Sequence, residues 1–206
     1  ADGSAATSSR GITSAAQSPL HVMLYDTRGS VQGWQTLNAV ARTLTGQLSW
    51  MKSAVSGPSY SSGFTLPSLS GFGAVYSAPA PGAWLFGGTD DSAFGRFVFH
   101  EGGLASAFWQ PFSLSSANAI LMPNGSQNPH QIQASLDLST GIITGNGTAM
   151  DIDPANPSLN RQRPGSFSGL FIPSVMKAHG HFLLPADASA TAPLLSGDFT
   201  AEKAAQ

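Results

Sequence analysis

The chain has 206 residues, a net charge of −2, charged side chains at 10% of positions, 23 glycines, 14 prolines and no cysteine. That length can bury a core without covalent staples, and the lack of cysteine excludes a disulfide framework, thiolate metal sites and cysteine redox chemistry. Three lysines (Lys52, Lys177, Lys203) leave no basic stripe to neutralise phosphates, so no nucleic acid partner is expected, and no apolar run reaches the roughly eighteen residues of a membrane span. Charge at less than half of the usual share of about 25%, with Gly, Ser, Thr and Ala in its place, is the profile of a secreted or surface-assembled protein. The start Ala1-Asp2-Gly3 lacks a charged region followed by an apolar one. The expectation is a removed signal or a piece of something longer.

In chain order, alternating or apolar segments predict strands at His21 to Asp26, Ser30 to Leu37, Leu44 to Trp50, Gly63 to Leu66 and Gly73 to Ser77. They continue at Phe94 to His100, Ala107 to Leu114, Ala117 to Met122, Ile132 to Leu138, Gly141 to Met150, Ser166 to Ile172, Ala178 to Leu184 and Gly197 to Ala201. The alternation is plainest where Ile132, Ala134, Leu136 and Leu138 interleave with Gln133, Ser135, Asp137 and Ser139, which predicts Leu136 and Leu138 in one interior with Leu48 and Trp50. Turn signals such as Thr27-Arg28-Gly29, Glu101-Gly102-Gly103 and Ser139-Thr140-Gly141 separate the strands. Leu37 to Leu44 is the one weak helical candidate, and Asp151 to Pro164, with three prolines, reads as a surface loop.

Two further patterns bear on architecture. Ser62 to Pro79 aligns without a gap on Ser168 to Pro185, pairing Pro67 with Pro173 and Pro79 with Pro185, and Gly29 to Gly33 matches Gly141 to Gly145. This predicts a duplicated meander. Gly-x-apolar-x-Gly units place glycine inside strands, where it marks sharp coiling or close backbone approach. The fold expected is all-β, an antiparallel meander with internal duplication forming a closed or nearly closed barrel, with a β-sandwich as the alternative. The organisation expected is a lead segment over 1–18, a first meander half over 19–115, a second over 116–185, and a linker with a C-terminal strand over 186–206.

The order of short motifs carries a resemblance. LDLSTGIITGNGTAMD (Leu136 to Asp151) and PGSFSGLFIPSVMKAHGHFLLP (Pro164 to Pro185) follow PLHVMLYDTRGSVQGW, LTGQLSWMKSA and YSSGF. Together they resemble a duplicated β-rich module of large secreted and surface proteins of verrucomicrobial bacteria, over most of Ala1 to Pro185. More loosely, the order is similar to the eight-stranded barrels of Gram-negative surface lipoproteins that bind host proteins, although this chain lacks their lipidated cysteine. The resemblance implies an extracellular or cell-surface location in bacteria and brings no established activity with it.

Candidate chemistry is sparse. His179 and His181 share one face of a predicted strand, as two ligands of a metal would, without a third local ligand; outward barrel-face histidines are the other reading. Asp151, Asp153 and Asn156 offer oxygens but miss the calcium-loop template, with Ala155, Asn156 and Gln162 at its key places. Gly165-Ser-Phe-Ser-Gly169 is no nucleophile elbow, Gly71-Phe-Gly73 is no dinucleotide loop, and Asp90, Asp91 and Glu101 sit in turns rather than across a cleft. No catalytic residue and no cofactor is expected. Among Trp34, Trp50, Trp84, Trp109, Tyr25, Tyr60 and Tyr76, the rings of Trp84, Trp109 and Tyr60 are the candidate ligand-binding residues, with glycan as the ligand class. The sequence therefore predicts a non-catalytic structural or interaction domain whose partners are other protein chains or copies of itself. Edges free of protective lysine would do the joining, with Gly197 to Ala201 reaching out to a neighbour. A carbohydrate- or small-ligand-binding barrel is the alternative.

Overall fold

Alternating side chains and glycine-marked turns fold this chain into β-strands joined by hairpins. A computed structural model describes residues 9–57, 60–87, 94–153, 156–187 and 192–204. These residues divide into two compact units at Val75 and Tyr76, well inside the segment expected as the first meander half. No helix among them is long and apolar enough to cross a membrane.

The first unit is one antiparallel sheet of four strands in sequence order, β1 (Gln17–Leu24), β2 (Gly29–Asn38), β3 (Thr43–Lys52) and β4 (Phe64–Ala74). Leu37 to Leu44 forms no helix; it is the end of β2, a tight turn and the start of β3. The two short strands expected at Gly63 to Leu66 and Gly73 to Ser77 are the two ends of the single strand β4, which a bulge opposite Leu48 and Trp50 bends. One face carries Leu20, Val22, Val31, Leu37, Leu44, Leu48 and Leu69, half-buried, and the other carries polar residues together with the exposed Met23, Trp34, Met51 and Phe72.

The second unit holds β5 (Phe94–Glu101), β6 (Phe108–Leu114), β7 (Ile120–Leu121), β8 (Gln133–Asp137), β9 (Ile142–Asp153), β10 (Asn156–Ile172), β11 (Lys177–Pro185) and β12 (Leu194–Lys203). Their order, β7-β6-β5-β12-β11-β10-β9-β8, brings β7 and β8 against one another and makes a nearly closed eight-stranded antiparallel barrel. The β8–β9 turn shows how local chemistry sets a hairpin. Asp137 accepts hydrogen bonds from the Ser139 amide (2.8 Å) and hydroxyl (2.6 Å), and Gly141 supplies the positive φ of 73° that closes the turn.

The barrel interior is packed with phenylalanine. Phe97, Phe99, Phe112, Phe167, Phe171, Phe182 and Phe199 are buried together with Ile143, Leu114 and Leu184. Four of the rings face a glycine directly across the ladder, in the pairs Gly95–Phe112, Gly145–Phe167, Phe182–Gly197 and Gly180–Phe199. An added Cβ would meet the facing ring at 2.2 Å in the first two pairs, 2.3 Å in the third and 2.4 Å in the fourth. Glycine inside these strands is thus the space into which the facing ring packs. The Gly-x-apolar-x-Gly units were read as close approach, and these pairs supply the contact.

Three expectations require correction. Asp151 to Pro164 is not a surface loop; apart from residues 154–155, outside the described set, it completes β9 and begins β10, where Thr148 faces Pro164 and Asp151 faces Arg161. Prolines signalled a loop, but long-range pairing overrides local composition. The segments aligned as a duplication differ in local structure: Pro67 lies inside β4, whereas Pro173 opens a 3-10 turn between β10 and β11. What recurs is order, because β8-β9-β10-β11 runs as an antiparallel meander like β1-β2-β3-β4. Leu136 does pack on the barrel core, but Leu48 and Trp50 belong to the other unit.

Gly180→Ala is expected to destabilise by about 2–4 kcal/mol in urea unfolding, since the new methyl meets the Ser168 carbonyl at 2.3 Å and the Gly169 Cα at 2.5 Å, neither of which can retreat. Gly73→Ala in β4, whose methyl meets only the Leu44 Cβ at 3.8 Å, is the control and should change stability by less than about 1 kcal/mol. Equal effects would show that the Gly–Phe pairs do not limit packing.

Candidate functional site

A strand edge presents unpaired amides and carbonyls, so charge and proline decide whether it stays solvated. In the first unit the edges are β1 and β4, and neither holds an acidic or basic residue apart from His21. Each holds a single proline, Pro19 or Pro67, which removes one donor; on β1 the His21 carbonyl also accepts from Arg10 Nη2 at 3.3 Å and the Gln17 carbonyl from the Thr13 amide at 2.8 Å.

In the second unit, β7 pairs with β6 only at Ser113 and Leu114, so Phe108 to Phe112 have no strand beside them on that side. The following loop fills part of the gap, and the Gln110 side-chain nitrogen donates to the Gln127 carbonyl at 2.9 Å. The Gln110 side-chain oxygen is buried with no partner. Beside this edge lies a groove of about 530 Å³ lined by Phe94, Trp109, Pro111, Leu121, Pro123 and Pro129. Trp109 is 62% exposed and Phe94 57%.

The three candidate rings differ in their surroundings. Trp109 is exposed, as its position beside proline suggested, but Trp84 is half-buried and packs on the barrel core. Tyr60 belongs to the first unit, edge-on to Phe64 at 5.6 Å, and its carbonyl accepts a hydrogen bond from the Lys52 ammonium at 3.0 Å. Sequence reasoning passed over Trp34, which is 55% exposed. It stands on the outer face of β2 in a recess of about 490 Å³ with His21, Gln32, Gln47, Ser49 and Ser68. Period two carried the signal, because Trp34 falls in the polar row of Gln32 and Thr36.

His179 and His181 lie exposed on the outer face of β11, beside Thr200 and Asp198 of β12. The described residues gather no group of three metal-ligating side chains. Asp151 is spoken for by two arginines. Its carboxylate accepts from Arg161 Nε (2.9 Å) and Nη2 (3.0 Å), from Arg163 Nη2 (2.7 Å) and from the Ala105 amide (3.3 Å). Two guanidinium groups repel a cation, which removes Asp151 as a calcium ligand; the side chains of Asp153 and Asn156, like Asp90 and Asp91, lie outside the described residues.

This cluster instead joins one end of the barrel. Arg163 is fully buried and also donates to the carbonyls of Gly103 and Pro185, both at 3.0 Å, while Arg161 reaches those of Gly103 at 2.9 Å and Ala186 at 3.0 Å. Burial raises the Asp151 pKa, but the bonds from Arg161 and Arg163 outweigh it and hold the carboxyl below its ordinary value. Above this end His130 stacks on Phe108 with ring centroids 3.9 Å apart and accepts the Met150 amide at 3.3 Å; burial lowers its pKa.

Among the described residues, an apolar gap of about 20 Å³, partly open to solvent, lies between Phe99, Phe108, Phe167 and Phe182. That is room for about one water. The chain matches no family model, no curated protein and no solved structure.

Asp151 with a depressed folded pKa stabilises the fold above its unfolded value, near 3.8, and that contribution is lost as pH falls through the folded pKa. His130, held neutral by burial, adds an earlier loss as pH drops below 6.5. Unfolding midpoints in urea should therefore fall in two steps on acidification. Asp151→Asn should remove the acidic step and cost about 3–5 kcal/mol at neutral pH, because Arg163 stays buried without its counter-ion. An unchanged acid limb would show that the cluster does not govern acid stability.

Proposed function

We propose that this chain is a non-catalytic structural and interaction domain of a bacterial surface or secreted assembly, joined to other protein chains or to copies of itself through strand edges. The observation that carries this reading is the pair of edges β1 and β4, 8 and 11 residues long and free of Asp, Glu, Lys and Arg. The filled barrel interior adds support, since a core without room for a substrate leaves recognition to the outside. The resemblance to modules of verrucomicrobial surface proteins gives the location. One earlier element of this reading is withdrawn. Gly197 to Ala201 cannot reach a neighbour, because β12 is held between β5 and β11 inside the barrel.

A glycan ligand is the second reading, and Trp34 is what favours it. A flat exposed indole flanked by the side-chain amides of Gln32 and Gln47 offers both a stacking face and hydrogen bonds to sugar hydroxyls. Trp109, among prolines and leucine, offers the stacking face alone.

Sedimentation of the full chain over a wide concentration range is expected to show species heavier than the 21.2 kDa monomer. Ser70→Lys, a charge on the exposed face of edge strand β4, should weaken that association by tenfold or more with the β spectrum unchanged. A single 21.2 kDa species throughout, together with a Trp34-dependent fluorescence change on adding polysaccharide, would replace this reading with the glycan one.

A further inference from the structure

We infer that the four-stranded sheet of the first unit is half of an eight-stranded barrel, and that a second copy of this chain supplies the other half. This rests on the edge-joining reading above and names its partner.

The second unit shows what such a sheet needs. There β8-β9-β10-β11, an antiparallel meander with the same strand order as β1-β2-β3-β4, surrounds a buried core only because β12, β5, β6 and β7 complete the circle. Among the described residues the first unit has no such complement: all four of its strands lie in one sheet, and Arg10 and Ile12 line only a recess beside Leu20, Leu37 and Leu44. Its apolar face is nevertheless built like a barrel interior. Gly33 faces Leu48 across the ladder, where an added Cβ would meet the Leu48 Cδ2 at 3.0 Å, a glycine-against-large pairing of the kind that the second unit fills with phenylalanine. Gly46 also faces Gly71 directly, as Gly169 faces Gly180. Two buried-type signatures, a cross-strand Gly–Leu pair and a Gly–Gly pair, thus stand on a face that no second sheet of its own unit covers among the described residues.

Number, area and charge fit a second copy. An even count of four strands lets a two-fold axis along the barrel set β1 of one protomer antiparallel to β4 of the other at both seams, and eight strands give an interior that side chains can fill. Four strands at about 4.8 Å spacing, each about 33 Å long, make a face of roughly 600 Å². That approaches the roughly 800 Å² per partner of a stable interface before two strand edges are added. The facing rows of Leu20, Val22, Val31, Leu44, Leu48 and Leu69 are uncharged apart from Lys52 at the end of β3, whose ammonium donates to the Tyr60 carbonyl at 3.0 Å, so two copies bring together mainly apolar surface.

The test is sedimentation of the full chain with three variants. Leu48→Asp puts a carboxylate on the apolar face of β3, Thr45→Asp puts one on the exposed face of the same strand, and Trp109→Asp charges the groove beside β6. The wild type, Thr45→Asp and Trp109→Asp should sediment as a closed dimer, at twice 21.2 kDa and no larger, and Leu48→Asp as a monomer. Hydrogen exchange of the wild type needs no variant: dilution to the monomer should release the amides of β1 and β4 together, by tenfold or more, while β9 to β12 stay protected. A dimer that survives Leu48→Asp but not Trp109→Asp overturns the half-barrel and leaves edge joining in force, as does growth beyond two copies. A monomer whose β1 and β4 amides are protected at every concentration overturns the half-barrel too, and shows that the chain covers this face itself.

Discussion

The structure depends on one constraint, that four of the core phenylalanine rings pack over a glycine directly opposite them on the neighbouring strand. Directly opposed residues in an antiparallel ladder hold their Cβ atoms about 5 Å apart, and in a small barrel every inward side chain competes for the same axis. In the four Gly–Phe pairs the ring lies over the partner's backbone, where a methyl would sit 2.2 to 2.4 Å from it. Large side chains thus alternate with none, and the rings interlock: Phe97 lies 4.7 Å from Phe112 and Phe167 lies 5.0 Å from Phe199, centroid to centroid. Aromatic pairs in such tilted arrangements contribute about 0.5–1.5 kcal/mol each beyond burial. The glycines that would weaken a flat sheet are therefore what lets this one coil.

Two ionic clusters act at different depths. Glu202 on the outer face of β12 takes Arg96 and Lys177, each at 2.6 Å, but both cations are 45% exposed, so water and salt screen the attraction to about 0–1 kcal/mol. Asp151, Arg161 and Arg163 sit at the other extreme. Their mutual attraction is offset by desolvation, and their effect is to fix geometry, since removing one member strands a buried charge. Through main-chain carbonyls the cluster fastens the β5–β6 turn, β10 and the end of β11. Apolar packing closes the barrel along its length, and this polar knot fixes one end.

Much of this architecture was legible in the sequence. Period-two alternation located Leu136 on the core face and Gln133 on the solvent face, and the glycine spacing announced a coiled all-β barrel. Local signals failed where the partner is distant. Three prolines made 151–164 look like a loop, yet the segment pairs as strand because Asp151 and Arg161 face each other across the ladder. An apolar spacing likewise cannot say which core it serves, so Leu48 and Trp50 were assigned to the interior that Leu136 enters although they belong to the other unit. The ungapped alignment was legible and misleading, since it matched β4 to a strand–turn–strand. Exposure of rings was half legible: Trp109 stands out beside Pro111, whereas nothing local revealed that Trp84 packs on the core next to Leu85.

The filled interior finally limits where recognition can occur. An eight-stranded barrel either packs its lumen with side chains or opens it to a small ligand, and the eight buried phenylalanines among the described residues favour the first course here. Recognition then falls to the outer faces and the edges, which rank by the cost of leaving them in water. The outer face of the barrel carries charged and polar side chains such as Arg96, His181 and Asp198, for which water is a good solvent. The leucine row of the first unit is of a different kind, because its aliphatic side chains are only half-buried and full burial would supply the remainder of the roughly 1.5–3 kcal/mol that each can contribute. Two units of similar strand order thus differ in kind: one closes its core within its own barrel, and the other keeps a core-like face that no second sheet of its own covers among the described residues.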